Sequence, residues 1–145
     1  MTTTSTIRVE LAAPEQRAAC QRLRHEVFVQ GQGVPESIEV DGLDERCTHF
    51  AAYRDEALVG TARLRVVGGA AKAERVAVAS SVRGAGVGRA LMRALEAEAK
   101  RMGLASVILN AQAAVIPFYE RLGYATEGER FFEAGIEHCK MRRAL

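Results

Sequence analysis

Val76-Ala77-Val78-Ala79-Ser80-Ser81-Val82-Arg83-Gly84-Ala85-Gly86-Val87-Gly88-Arg89-Ala90-Leu91 reads as an apolar strand, a glycine-rich turn and the start of a helix. The helix is marked by Val87, Ala90, Leu91, Ala94, Leu95 and Met102, an apolar stripe at three- and four-residue spacing, with Gly103 as its stop after Lys100 and Arg101. Glycines lack a Cβ, so backbone N–H groups can approach an anion, and the helix dipole adds about half a positive charge there. A phosphate suits such a turn, and so does a plain structural corner. The glycine register excludes two sharper motifs. A dinucleotide fingerprint G-x-G-x-x-G would need glycine at Arg89 or Leu91, and a triphosphate loop would need Gly-Lys where Arg89 stands.

Upstream of the turn, Ile7, Val9 and Leu11 alternate as a first strand, and Pro14 opens a helix carrying Ala19, Leu23 and Val27. Residues 30–45, with Gly31, Gly33, Pro35 and Gly42 among charges, read as a long irregular connection. Residues 50–53, 58–66 and 73–78 are three consecutive strands, which predicts an antiparallel meander. Downstream, residues 107–109 are a short buried strand, and residues 113–122 a helix with Pro117 near its first turn and Gly123 at its end. Residues 124–129 and 138–142 are two further strands. This order predicts a single α/β domain, one mixed sheet with helices on its faces, preceded by a flexible start at residues 1–6.

The chain has 145 residues, 48% hydrophobic and 26% charged, which is ordinary globular composition. Its formal charge of +2 is the difference between 20 basic and 18 acidic residues, and no nucleic-acid partner is indicated. Cys20, Cys47 and Cys139 are odd in number and widely spaced, which predicts reduced thiols rather than disulfides or a metal site. With neither a signal-peptide pattern at residues 1–6 nor an apolar run near the ~20 residues that span a bilayer, a cytoplasmic protein without membrane attachment is expected.

Arg83, Gly86 and Gly88 match the Q/R-x-x-G-x-G/A signature of the GNAT acetyltransferases in the strand-turn-helix setting where that family carries it. Asn110-Ala111-Gln112, Phe118-Tyr119-Glu120 and Leu122-Gly123-Tyr124 resemble the family's second cofactor-contacting strand and helix. Arg24, Val27-Phe28, Gln32, Val34-Pro35, Asp41-Gly42 and His49 resemble its ElaA-like branch of small bacterial members. The resemblance spans residues 8–142. It implies a mostly antiparallel mixed sheet with a splayed central strand pair and helices on both faces.

It also implies acetyl-CoA as cosubstrate, no metal, and transfer of the acetyl group to a primary amine by direct attack in a ternary complex. Val76, Ala77 and Val78 would serve the pantetheine arm. Arg83, Gly84, Ala85, Gly86, Val87, Gly88 and Arg89 would serve the pyrophosphate, and Asn110 the far side of the cleft. Tyr119 is the expected proton donor to the departing thiolate. Glu74 is the first candidate base, ahead of Glu39 and His49. Arg24, Phe28, Glu39 and His49 are the expected acceptor-side residues. Glu36, Glu39, Asp41, Asp44 and Glu45 would favour a cationic acceptor if they faced the cleft, and would otherwise form a solvated acidic loop. Small members of the family often pair, so a homodimer is a further expectation. A non-catalytic acyl-CoA-binding module, which would need no Tyr119, remains an open alternative, and the glycine register disfavours a third, a dinucleotide redox protein.

Overall fold

The computed structural model describes residues 6–145. Strand β1 (Ile7–Leu11) leads into α1 (Pro14–Arg24), which continues as a π-helical turn, His25–Gln30. A short α2 (Glu36–Glu39) follows, then the meander β2 (Thr48–Arg54), β3 (Ala57–Val67) and β4 (Ala70–Val78). After the glycine-rich turn come α3 (Val87–Arg101), β5 (Ser106–Gln112), α4 (Ile116–Arg121), β6 (Ala125–Glu133) and β7 (Ile136–Ala144). The seven strands form one sheet in the order β1-β2-β3-β4-β5-β7-β6, antiparallel throughout except between β4 and β5.

Several boundaries differ from the sequence reading. Residues 113–115 form a 3₁₀ turn, and the helix proper starts only at Ile116, because Pro117 lacks an N–H and fits only a first turn. The connection at residues 30–45 contains α2 and the beginning of a 3₁₀ turn, Asp44–Arg46. Both final strands extend beyond their expected limits. Met102 lies past the end of α3 and is 40% exposed; Met92 and Ala99 carry the buried stripe instead. The expectation for residues 1–5 falls outside the described residues.

Helices cover both faces. Leu91, Met92 and Leu95 of α3 pack on Phe50, Leu64, Ala73 and Leu109, whereas Cys20 of α1 meets Ala51, and Leu23 and Val27 meet Ala77. Neighbours Phe50 and Ala51 thus serve opposite layers, as strand alternation demands. Gly60 lets α3 sit close: a Cβ there would lie 2.7 Å from Val87 Cγ1 and 3.0 Å from Leu91 Cδ1.

The sheet opens at its centre. On β3, Thr61 and Arg63 face Ala77 and Glu74, so three steps on β4 oppose two on β3. The supernumerary residue is Arg75, held at φ 55°. Val76 and Val78 pack toward the α3 core and Ala77 toward α1, so alternation resumes after one inserted residue. A bulge bends its strand. Accordingly β4 and β5 pair only from Ala70↔Ser106 to Ala73↔Leu109, while β4 stays with β3 to Val78 and β5 stays with β7 to Gln112. The splayed central pair expected from the sequence is present.

Candidate active site

Where β4 and β5 part, a cleft of about 700 Å³ opens between the glycine-rich turn and α4. Gly84 and Gly86 have φ of 86° and 85°, a left-handed conformation that side chains resist. Gly86 is the N-cap of α3 and brings no side-chain cap. The first bond of the helix runs from Ala90 N–H to Gly86 O (3.0 Å), so the N–H groups of Val87, Gly88 and Arg89 have no intrahelical partner. Ala85 departs from expectation: its N–H is bonded to Val82 O at 3.1 Å and its side chain is exposed away from the cleft. At Gly88 a Cβ would come within 3.1 Å of the Phe118 ring, so this glycine admits α4 to the helix start as well as opening the backbone.

Val76, Val78 and Asn110 line the walls, as do Arg83 and Arg89 at the turn. Ala77 points its methyl toward α1. Tyr119 closes the far end, 8% exposed and edge-to-face with Phe118 at 4.9 Å and Tyr124 at 5.8 Å. Its hydroxyl has no hydrogen-bond partner among the described residues, and burial pushes the phenol up to about 12. Tyr124 differs in that its hydroxyl donates to Glu96 Oε2 at 2.7 Å, the packed tyrosine of the pair.

The expected base Glu74 lines the cleft but is not free. Arg63 donates to it at 2.8 Å and Arg65 at 2.9 and 3.1 Å, with Lys72 at 3.4 Å. Burial pushes the carboxyl up, yet the bonds from Arg65 and Arg63 outweigh it and hold it at about 2. A carboxylate so held is a poor proton acceptor at neutral pH.

Of the acceptor-side residues, Phe28 and Glu39 reach the cleft. Arg24 and His49 do not line it and support it from behind. Arg24, 2% exposed, donates to Glu39 Oε1 at 2.7 Å and Asp44 Oδ1 at 2.9 Å. His49 Nε2 donates to Asp44 O at 2.7 Å, and burial lowers its pKa. The fully buried Arg63 also binds Asp41 (2.8 Å) and Asp44 (2.9 Å). The acidic segment is therefore divided: Glu39, Asp41 and Asp44 are consumed by internal arginines, and Glu36 and Glu45 are solvated. It does not offer a concerted cation site.

Sequence reasoning passed over Arg63, although an arginine between Ala62 and Leu64 in a strand was a visible signal. It cited Gln32 and Gln112 within motifs but not their bond across the cleft mouth, where Gln112 donates to Gln32 Oε1 at 2.8 Å, and it passed over His138 and Glu133 as wall residues. Among the described residues no cluster of His, Cys, Asp and Glu could hold a metal, and no helix is long and apolar enough to cross a membrane.

The chain is 43% identical over 122 residues to the uncharacterized N-acetyltransferase YjcF of Bacillus subtilis, covering 83% of this chain and 87% of that one. Protein ElaA of Escherichia coli is 32% identical over 138 residues, covering 88% and 86%, and its crystal structure superposes with a TM-score of 0.83, covering 95% and 99%. A Bacillus subtilis acetyltransferase solved in complex with CoA shares the fold at a TM-score of 0.77 and 20% identity, covering 97% and 99%. Residues 11–145 match the acetyltransferase (GNAT) domain. With that match running from the end of β1 to the last residue, the chain belongs to the GNAT family and is an N-acetyltransferase.

Proposed function

We propose that the protein moves an acetyl group from acetyl-CoA to a primary amine by direct attack while both are bound. The observation that carries this reading is the pairing, in one cleft, of open N–H groups at the start of α3 with the unpartnered hydroxyl of Tyr119. Unsatisfied donors, the helix dipole and the side chains of Arg83 and Arg89 suit a pyrophosphate. Acetyl-CoA supplies an activated thioester. Val76 and Val78 would orient its pantetheine arm through their backbone groups, which the splay leaves without partners on β5. Tyr119 stays a neutral phenol at neutral pH and would hold its proton for the departing sulfur.

The acceptor side is apolar, with Phe28, Val34, Ile38 and Ile136 on its walls, and two of its carboxylates, Glu39 and Glu74, are neutralised by arginines. That supports an amine on an apolar or aromatic body over a polycation. Three buried free cysteines suit a reducing compartment, and we place the reaction in the cytoplasm. Phe132, 74% exposed on the edge strand β6, supports a homodimer through the final strands. The test is thiol release from acetyl-CoA with 2-phenylethylamine, spermidine, glucosamine and a lysine peptide. Turnover fastest with 2-phenylethylamine is expected; silence across the panel would sink the reading.

A further inference from the structure

Removal of a proton from the acceptor amine is unassigned once Glu74 is tied to Arg63 and Arg65, and we infer that His138 performs it. This inference rests on the acetyltransferase reading. His138 lies on β7 between Glu137 and Cys139, paired with Gln112 on one side and Phe131 on the other. Cys139 and Met141 face the α3 core, so His138 projects to the opposite face, the one covered by α1, and lines the cleft there. Its ring stacks on Phe131 at 5.8 Å with planes 16° apart. Nδ1 sits 2.7 Å from Ile136 O. A carbonyl only accepts, so Nδ1 carries the hydrogen, and in the neutral ring Nε2 keeps its lone pair. Nε2 has no partner among the described residues. Stacking and the Nδ1 bond together fix both the tautomer and the ring plane.

The step balances simply. The Nε2 lone pair takes a proton from the ammonium, the broken N–H bond leaves its electrons on the amine nitrogen, and the imidazolium later returns the proton to water. Charged groups on the same cleft are Glu39, Lys72, Glu74, Arg75 and Glu133, with Arg83 and Arg89 at its turn end. Lys140 follows two residues on along β7, and Glu137 pairs with Arg130 beside it. Glu39, Glu74 and Arg75 are engaged in ion pairs. Glu133 has none among the described residues.

The test has two arms. In the free protein, nitrogen-15 chemical shifts of His138 should report the Nδ1–H tautomer; a dominant Nε2–H tautomer would overturn the assignment. In turnover with acetyl-CoA and the fastest amine of the panel above, His138→Gln should lower kcat/KM about 100-fold near pH 7 and abolish its acidic limb. CoA affinity by calorimetry should stay within about twofold. Unchanged turnover, or an acidic limb that survives in the variant, would overturn the role of His138 alone. A wild-type protein silent with every amine would overturn the acetyltransferase reading with it.

Discussion

Tyr119 and Tyr124 stand five residues apart, touch ring edge to ring edge, and differ in what their hydroxyls do. The Tyr119 hydroxyl bonds to no described residue, so Tyr119→Phe should melt within a few degrees of the parent, retain CoA affinity, and lose kcat by about 100-fold. Steady-state kinetics beside thermal melting reads both parts; full turnover with chemistry rate-limiting would remove the tyrosine from the reaction. Tyr124→Phe should do the converse. It deletes the 2.7 Å bond to buried Glu96 and should cost about 1–2 kcal/mol in urea unfolding with kcat preserved. Tyr119 was legible because its motif placed it. The role proposed for His138 was not, because it rests on a backbone carbonyl two residues away and on a ring stacked from another strand.

Helix α3 was the most readable element, since its apolar spacing needs no knowledge of partners, and its start at Val87 and stop near Gly103 followed from glycines. What the spacing could not show is how near the helix lies to the sheet. That closeness depends on Gly60, an unremarkable glycine between Val59 and Thr61 in a strand. Gly60→Ala would push on Val87 and Leu91 and is expected to cost about 1–3 kcal/mol. Because Val87 opens α3, the same change should weaken CoA binding in calorimetry. Loss of stability with unaltered affinity would show that the turn is held independently of the helix seat. The bulge in β4 was equally hidden. A non-glycine residue at positive φ is uncommon, and nothing local to Arg75 announces it. Tertiary bonds hold it there, from its guanidinium to Ile38 O at 3.0 Å and Glu39 O at 3.2 Å.

Across the molecule, the connection at residues 30–45 is tied to the sheet by charge rather than by an apolar core of its own. Arg24, Arg63 and Arg75 reach Glu39, Asp41 and Asp44 from three elements, and Arg63 and Arg65 reach Glu74. The sequence displayed the acids and the arginines but not their pairing, because partners 9 to 34 residues apart meet only once the chain has folded. Glu74 and Asp41 have folded pKa values below their ordinary ones, so the unfolded chain binds more protons in the window between. Their stabilisation is complete above the ordinary carboxylate range near 4 and is lost as pH falls toward 2. Urea unfolding from pH 7 to pH 3 should therefore show a plateau and then a decline below about pH 5. Glu74→Gln should flatten that decline while leaving the acidic limb of kcat/KM in place; loss of the limb would restore Glu74 as the base.

Arg75 is the one residue that β4 inserts between its pairings with Thr61 and Arg63 of β3. Deleting it would leave Glu74, Val76, Ala77 and Val78 facing as they do now while restoring a regular ladder to β3, so nothing would oblige β4 to leave β5. Regularity and catalysis are opposed at this position: the deletion is expected to yield a folded, better-paired sheet, shut along its middle, that calorimetry finds indifferent to CoA.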